Sequence, residues 1–114
     1  MTTSSAWFAG DVVALDFPFS DGAGNKNRPA LVLAGPTQFG DYTVAMIGSS
    51  KMDDGVSITT ADFAAGSLKQ DSFVRIRHVY TCESSCVVTK RGSLAPSAMK
   101  RVMAAFCPAL GCKS

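Results

Sequence analysis

A mainly β fold is what this sequence predicts: a small, strongly bent antiparallel sheet or SH3-like barrel, closed by one C-terminal helix. Three observations predict it. Short apolar segments of alternating pattern succeed one another as far as Leu94, punctuated by turn residues. From Pro96 onward the period changes, and apolar residues recur at helical spacing. No internal repeat, low-complexity tract or linker interrupts the chain, which points to a single domain over residues 1–114.

The elements follow in order. Val13, Leu15 and Phe17 alternate with Val12, Ala14 and Asp16 and mark a first strand. Leu31 and Leu33, alternating with Ala30, Val32 and Ala34, mark a second, which Gly35-Pro36 ends. Tyr42–Ile47 is a third, stopped by Gly48-Ser49-Ser50, and a weak strand at Val56–Thr59 follows the Asp53-Asp54-Gly55 turn. Ser72–Tyr80 and Cys86–Leu94 read as two more, with Glu83-Ser84-Ser85 as their turn. Pro96 suits the first position of a helix. Met99, Val102, Met103, Phe106 and Leu110 then form one apolar stripe, and Gly111 is a C-terminal stop.

With 114 residues, 46% apolar and 18% charged, the chain has the make-up of one globular domain. A net charge of +2 does not mark a nucleic-acid binder, so any such role rests on where the cations stand. No apolar run approaches the roughly 18 residues of a membrane span. Residues 1–6 carry neither a basic segment nor a long apolar one, so a cytoplasmic location without a secretion signal is expected. Cys82, Cys86, Cys107 and Cys112 are spaced C-x3-C and C-x4-C, unlike the paired C-x2-C of zinc knuckles. Reduced structural thiols are expected, with a zinc site as the alternative.

The most informative stretch runs from Gly10-Asp11-Val12-Val13-Ala14-Leu15-Asp16-Phe17 through a glycine-containing loop to Lys26-Asn27-Arg28-Pro29-Ala30-Leu31-Val32-Leu33. Proline fixes its own φ and favours an extended residue before it, so Arg28 is expected at a loop–strand junction with a defined direction. The planar guanidinium suits it to pairing with two phosphate oxygens. An ordinary surface arginine is the plainer alternative. Gly22 and Gly24 suggest a mobile lid, and Asn25 and Lys26 add donors beside it.

This segment resembles the opening of the MazF/PemK family of ribonuclease toxins, and the resemblance extends more loosely over nearly the whole chain. It implies the small-barrel architecture shared by the MazF and CcdB plasmid-maintenance toxins. It further implies a type II toxin that cleaves single-stranded RNA sequence-selectively, without a metal or other cofactor. A homodimer, a cognate antitoxin occupying the RNA groove, and DNA binding in the antitoxin complex come with it. Metal-free cleavage needs help in removing the 2′-OH proton, in stabilising the phosphorane and in protonating the leaving 5′-oxygen. The resemblance makes Arg28 the principal catalytic residue, acting on the phosphorane.

The family's second catalytic position is a threonine or serine just after the third strand. Strict alignment puts Gly48 there; a one-residue bulge would bring Ser49 into place as the assisting hydroxyl, and a plain polar turn at Ser49-Ser50 is the alternative. Arg75-Ile76-Arg77-His78 is a further constellation. On a regular strand Arg75 and Arg77 share one face, roughly 6.5–7 Å apart, and suit an RNA backbone. His78 then points to the opposite face, as an RNA contact or a structural residue. Some family members carry Arg-x-Asp here, with the acid contributing to cleavage, and this chain has Arg77 at the position of that acid. Lys90-Arg91 and Lys100-Arg101 read as solvated faces, and Trp7 and Phe8 as a barrel plug or base-stacking pair. A relative of this fold that poisons a protein such as gyrase is the alternative function.

Overall fold

The computed structural model describes residues 7–18, 25–48, 55–68 and 71–110. Seven strands form one antiparallel sheet. They are β1 (Asp11–Pro18), β2 (Asn25–Ala34), β3 (Asp41–Gly48), β4 (Gly55–Ile58), β5 (Phe63–Gly66), β6 (Ser72–Glu83) and β7 (Val87–Leu94), followed by helix α1 (Pro96–Leu110). Across the sheet the order is β4-β6-β3-β2-β1-β7-β5. The predicted fold class is therefore the observed one.

Curvature follows from a short connection. β6 and β7 lie on opposite sides of β3-β2-β1, yet only Ser84–Cys86, a 3-10 turn, joins them. In a flat sheet four strand spacings would separate them by about 19 Å. The connection can span at most about 15 Å even when extended. So the five strands must curl. Glu83-Ser84-Ser85 is thus a corner between strands that do not pair, rather than a hairpin turn. β4 and β5 end the strand order at opposite edges, which leaves a curled open sheet within the expected barrel-like class.

Both faces of the central strands are apolar, and period-2 alternation sorts them. Val12, Leu31, Ala45, Ile47 and Val74 pack with Ala98, Val102 and Phe106 of α1. Val13, Leu15, Ala30, Val32, Tyr42 and Val44 form a second cluster on the face away from the helix. Trp7 covers one end of that cluster, its ring edge-on to Tyr42 at 5.7 Å and 76°. Its backbone N–H donates to the Tyr42 hydroxyl. Phe8, expected to act with it, is instead 64% exposed.

Several boundaries differ from the sequence reading. β2 begins at Asn25, well before Ala30, because residues 25–29 pair across the hairpin with β1. β5 was not expected: Phe-Ala-Ala-Gly has no alternation and little strand propensity, and its pairing with β7 supplies the order. In α1 the buried stripe is Ala98, Val102 and Phe106, while Met103 is 37% exposed. Leu110 and Gly111 lie outside the described side chains.

Two cations assigned to solvated faces are tethered. Lys90 pairs at 3.3 Å with the buried Asp11, whose other oxygen accepts the Phe8 N–H. Arg101 of α1 donates to both carboxylate oxygens of Asp62 and to the Ser57 carbonyl. Asp62 in turn accepts the Thr59 N–H, capping a 3-10 turn at Thr60–Asp62. Among the described residues Cys82 and Cys86 are free thiols, and no helix is long and apolar enough to cross a membrane.

Candidate nucleic-acid interface

Arg28 stands inside a strand. It lies opposite Leu15 of β1 and is exposed, which corrects the expected loop–strand junction. Proline is tolerated beside it because the β2–β3 ladder ends at Ala30–Met46. From Asn25 to Pro29 the ladder partner of β2 is β1. The guanidinium therefore rises from hydrogen-bonded backbone. Residues opposite one another, and residues two apart, share a face. Arg28, Leu15 and Ala30 accordingly belong to the face away from α1.

Gly48 ends β3 on that same face, two residues beyond Met46, which packs on the same cluster. Continuing the Ala30–Met46 register by two residues brings Arg28 level with Gly48. The space over Gly48 is taken by Arg75. A Cβ added to Gly48 would stand 2.6 Å from the Arg75 Nε and 2.8 Å from its Cζ, with Nη2 closer still. These are separations that real Cβ atoms essentially never show. The absence of a side chain at 48 is what leaves room for the Arg75 guanidinium over the end of β3.

A large irregularity in β6 lies beside Arg75. Ala45 pairs with Val79 and Ile47 with Val74, so one residue of β3, Met46, is matched by Arg75, Ile76, Arg77 and His78. Three extra residues are accommodated there, and alternation does not carry through. Val74, Ile76 and Val79 all pack on the helix-side cluster, although 74 and 79 differ in parity. Arg77 and His78, expected on opposite faces with Arg77 beside Arg75, lie within the stretch between Ile76 and Val79 where alternation breaks. Arg77 is exposed. His78 is half-buried, and its Nδ1 is shut off from solvent without a hydrogen-bond partner.

Asn25 and Lys26 open β2, paired through their backbones with Pro18 and Phe17. Their side chains, the expected lid at residues 19–24, and Ser49 and Ser50 lie outside the described residues. Among the described residues, no three His, Cys, Asp or Glu side chains are grouped to hold a metal ion. Burial pushes the Cys82 thiol up to about 11, with Cys86 and Asp41 adding to the effect. Sequence reasoning singled out Arg28 and Arg75 but missed the role of Gly48, for which no local signal exists.

A curled antiparallel sheet closed by one helix, with an exposed arginine fixed on a strand, defines a small β-rich protein. A family model described as "PemK-like, MazF-like toxin of type II toxin-antitoxin system" matches residues 8–110. The chain belongs to that family. None of the curated proteins matches it by sequence. Among solved structures, it resembles a mycobacterial endoribonuclease in complex with its cognate antitoxin (TM-score 0.74, 18% identity, 97% of this chain and 99% of that one). It also resembles MazF from Deinococcus radiodurans (0.70, 20%, 95% and 99%) and the Mycobacterium tuberculosis toxin MazF-mt6 (0.67, 20%, 90% and 99%). These likenesses concern the fold.

Proposed function

We propose that this toxin is a sequence-selective endoribonuclease of single-stranded RNA that works without a metal or cofactor. Residues 1–114 act in this reading as a single cytoplasmic domain that forms a homodimer and is held in check by a cognate antitoxin. Membership of the toxin family, with an exposed arginine fixed on a strand of the sheet face, is the observation that supports it. The 2′-oxygen attacks the adjacent phosphorus and the P–O5′ bond breaks. A 2′,3′-cyclic phosphate and a 5′-hydroxyl result, with the proton passing from the 2′-OH to the 5′-oxygen. Arg28 stabilises the charge that builds on the phosphorane, a task that suits a guanidinium, which is a cation and not a base. Ser49 assists, and Asn25, Lys26, Arg77 and His78 hold the RNA alongside Arg75.

Incubation of the purified protein with a long RNA in excess EDTA, followed by mapping of the ends, tests this reading. Defined cut sites bearing 5′-hydroxyl ends are expected. Intact RNA, or cleavage that stops on chelation, would overturn it.

A further inference from the structure

We infer that Cys82 and Cys86 are a redox-responsive thiol pair, which a hydroperoxide closes into an internal disulfide across the β6–β7 corner, and that the closed pair slows the site around Arg28. The bond depends on this chain's own sulfurs. Its effect on RNA cleavage rests on the endoribonuclease reading.

Position brings the two thiols together. Cys82 stands near the end of β6, opposite Tyr42, and Cys86 closes the 3-10 turn Ser84–Cys86. Both are free thiols, and both pack on the apolar cluster away from the helix, Cys82 within it and Cys86 at its border. A 3-10 segment rises ~2.0 Å per residue, which puts Glu83 about 6 Å from Cys86, and one further residue adds at most ~3.8 Å. The two Cα atoms are therefore no more than about 10 Å apart, where a disulfide needs about 4.4–6.8 Å. A closure of roughly 3 Å within one corner suffices.

Their surroundings give the two sulfurs unlike roles. Burial first, then the neighbouring Cys86 and Asp41, push the Cys82 thiol up to about 11, so it waits protonated and out of reach. Cys86 is half-buried, and its sulfur is the one that a small hydroperoxide meets. The Cys86 thiolate attacks one peroxide oxygen and the O–O bond breaks. Cys86 becomes a sulfenic acid, and the departing oxygen takes up the proton that the thiol released. The Cys82 sulfur then attacks the Cys86 sulfur: an S–S bond forms, the S–O bond breaks, and the Cys82 proton leaves with the hydroxyl as water. Two thiols lose two electrons, and one peroxide gains them.

The corner is coupled to the site. The turn lies against β1, and Val87, the residue after Cys86, is the ladder partner of Leu15, which stands opposite Arg28. Val87, Leu15 and Arg28 are thus one row across β7, β1 and β2. Drawing Cys86 toward the end of β6 pulls on Val87 and on the row beneath Arg28. A displacement of about 1 Å at a catalytic group can cost about 100-fold in rate. A bond closed across so short a turn is strained and readily reduced, which makes the change reversible. Transient sensing disulfides of this kind are compatible with a reducing compartment.

Treatment of the full chain with hydrogen peroxide, then thiol blocking, digestion without reductant and peptide mass mapping, tests the pair. The parent should yield a peptide spanning Cys82 and Cys86 that is two hydrogens lighter than its reduced form and reverts with dithiothreitol. Cys82→Ala, oxidised in the presence of dimedone, should carry the adduct on Cys86, whereas Cys86→Ser should keep Cys82 as a free thiol. Single-turnover cleavage of one mapped RNA is measured on the same samples. The oxidised parent should cut about tenfold or more slowly than the reduced one and recover on reduction, while Cys86→Ser should not respond to peroxide. Two free thiols after peroxide, or a bond to Cys107 or Cys112 instead, would overturn the inference. So would an internal disulfide that leaves the cleavage rate unchanged. A parent that cuts no RNA would remove the endoribonuclease reading and with it the effect on Arg28, while the mass map would still decide the disulfide. Should Cys82→Ala fail to fold, the parent and Cys86→Ser maps decide the matter.

Discussion

Arg101 and Asp62 lock the helix to the rim of the sheet: the guanidinium meets both carboxylate oxygens, at 3.3 and 3.1 Å, and donates to the Ser57 carbonyl at 2.8 Å. One arginine thereby joins α1, the end of β4 and the turn that leads into β5. The Arg101 hydrogen bond is the largest influence holding the Asp62 carboxyl below its ordinary 3.8, followed by the Thr59 N–H.

The sign of the resulting pH dependence is set by the unfolded chain, where Asp62 regains its ordinary value and binds its proton first. The contribution to stability is complete above 3.8 and is lost as pH falls from there through the lower folded value. Asp62→Asn is expected to be less stable than the parent at neutral pH by about 1 kcal/mol, since the pair is largely solvent-facing. That gap should close well below pH 3.8. Urea titrations at the two pH values check it, and a gap that persists in acid would refute the assignment.

Arg28→Ala should lower RNA cleavage by about 100- to 1,000-fold, the usual consequence of removing one donor from a developing oxyanion. Its thermal midpoint should stay within a degree or two of the parent, because an exposed strand residue contributes little to packing. Single-turnover cleavage and a melting curve together give the answer. A fully active variant would remove the mechanism.

Arg77→Ala should weaken binding of all single-stranded sequences alike. The slope of log affinity against log salt should fall by about 0.7, as for one lost phosphate contact. The pattern of cut sites should survive, since phosphate contacts position a strand without reading its bases. Altered cut sites with an unchanged slope would mean that Arg77 touches a base.

Cys82 should stay unmodified by iodoacetamide in the folded protein at mildly alkaline pH and react once the protein is denatured. Burial holds its thiol protonated, at about 11, and the thiolate is the reactive form. Peptide mass mapping reads this directly. Rapid labelling of native Cys82 would contradict the packing described for the end of β6.

Most of the architecture was legible because local pattern and tertiary demand agree in it. Alternation gave β1, β3 and the apolar half of β2, while Pro96 with Val102 and Phe106 gave the helix. What escaped depends on partners far along the chain. Asn25–Asn27 has no strand propensity of its own and is extended because β1 lies opposite. Phe63–Gly66 is a strand because β7 supplies the ladder. The site divides in the same way. Arg28 and Arg75 stand out as residues, but the strand beneath Arg28 depends on pairing with β1, and the seat of Arg75 over the end of β3 depends on a missing side chain at Gly48. Neither leaves a trace in the spacing of the motif.

The pairing of β1 with β7 bears on when the molecule can exist at all. Val12 takes Gly92 as its partner, so one flank of the opening strand waits until eighty further residues have been made. The meander of β1, β2 and β3 needs short loops alone, and such local contacts form early. Its buried valines and leucines stay uncovered on the helix side until Val102 and Phe106 arrive. During synthesis the nascent chain thus exposes a sticky half-sheet on which Arg28 is present but β6, with Arg75, is still to come. A polypeptide built in this order completes neither its sheet nor its helix-side core until β7 and α1 have been made.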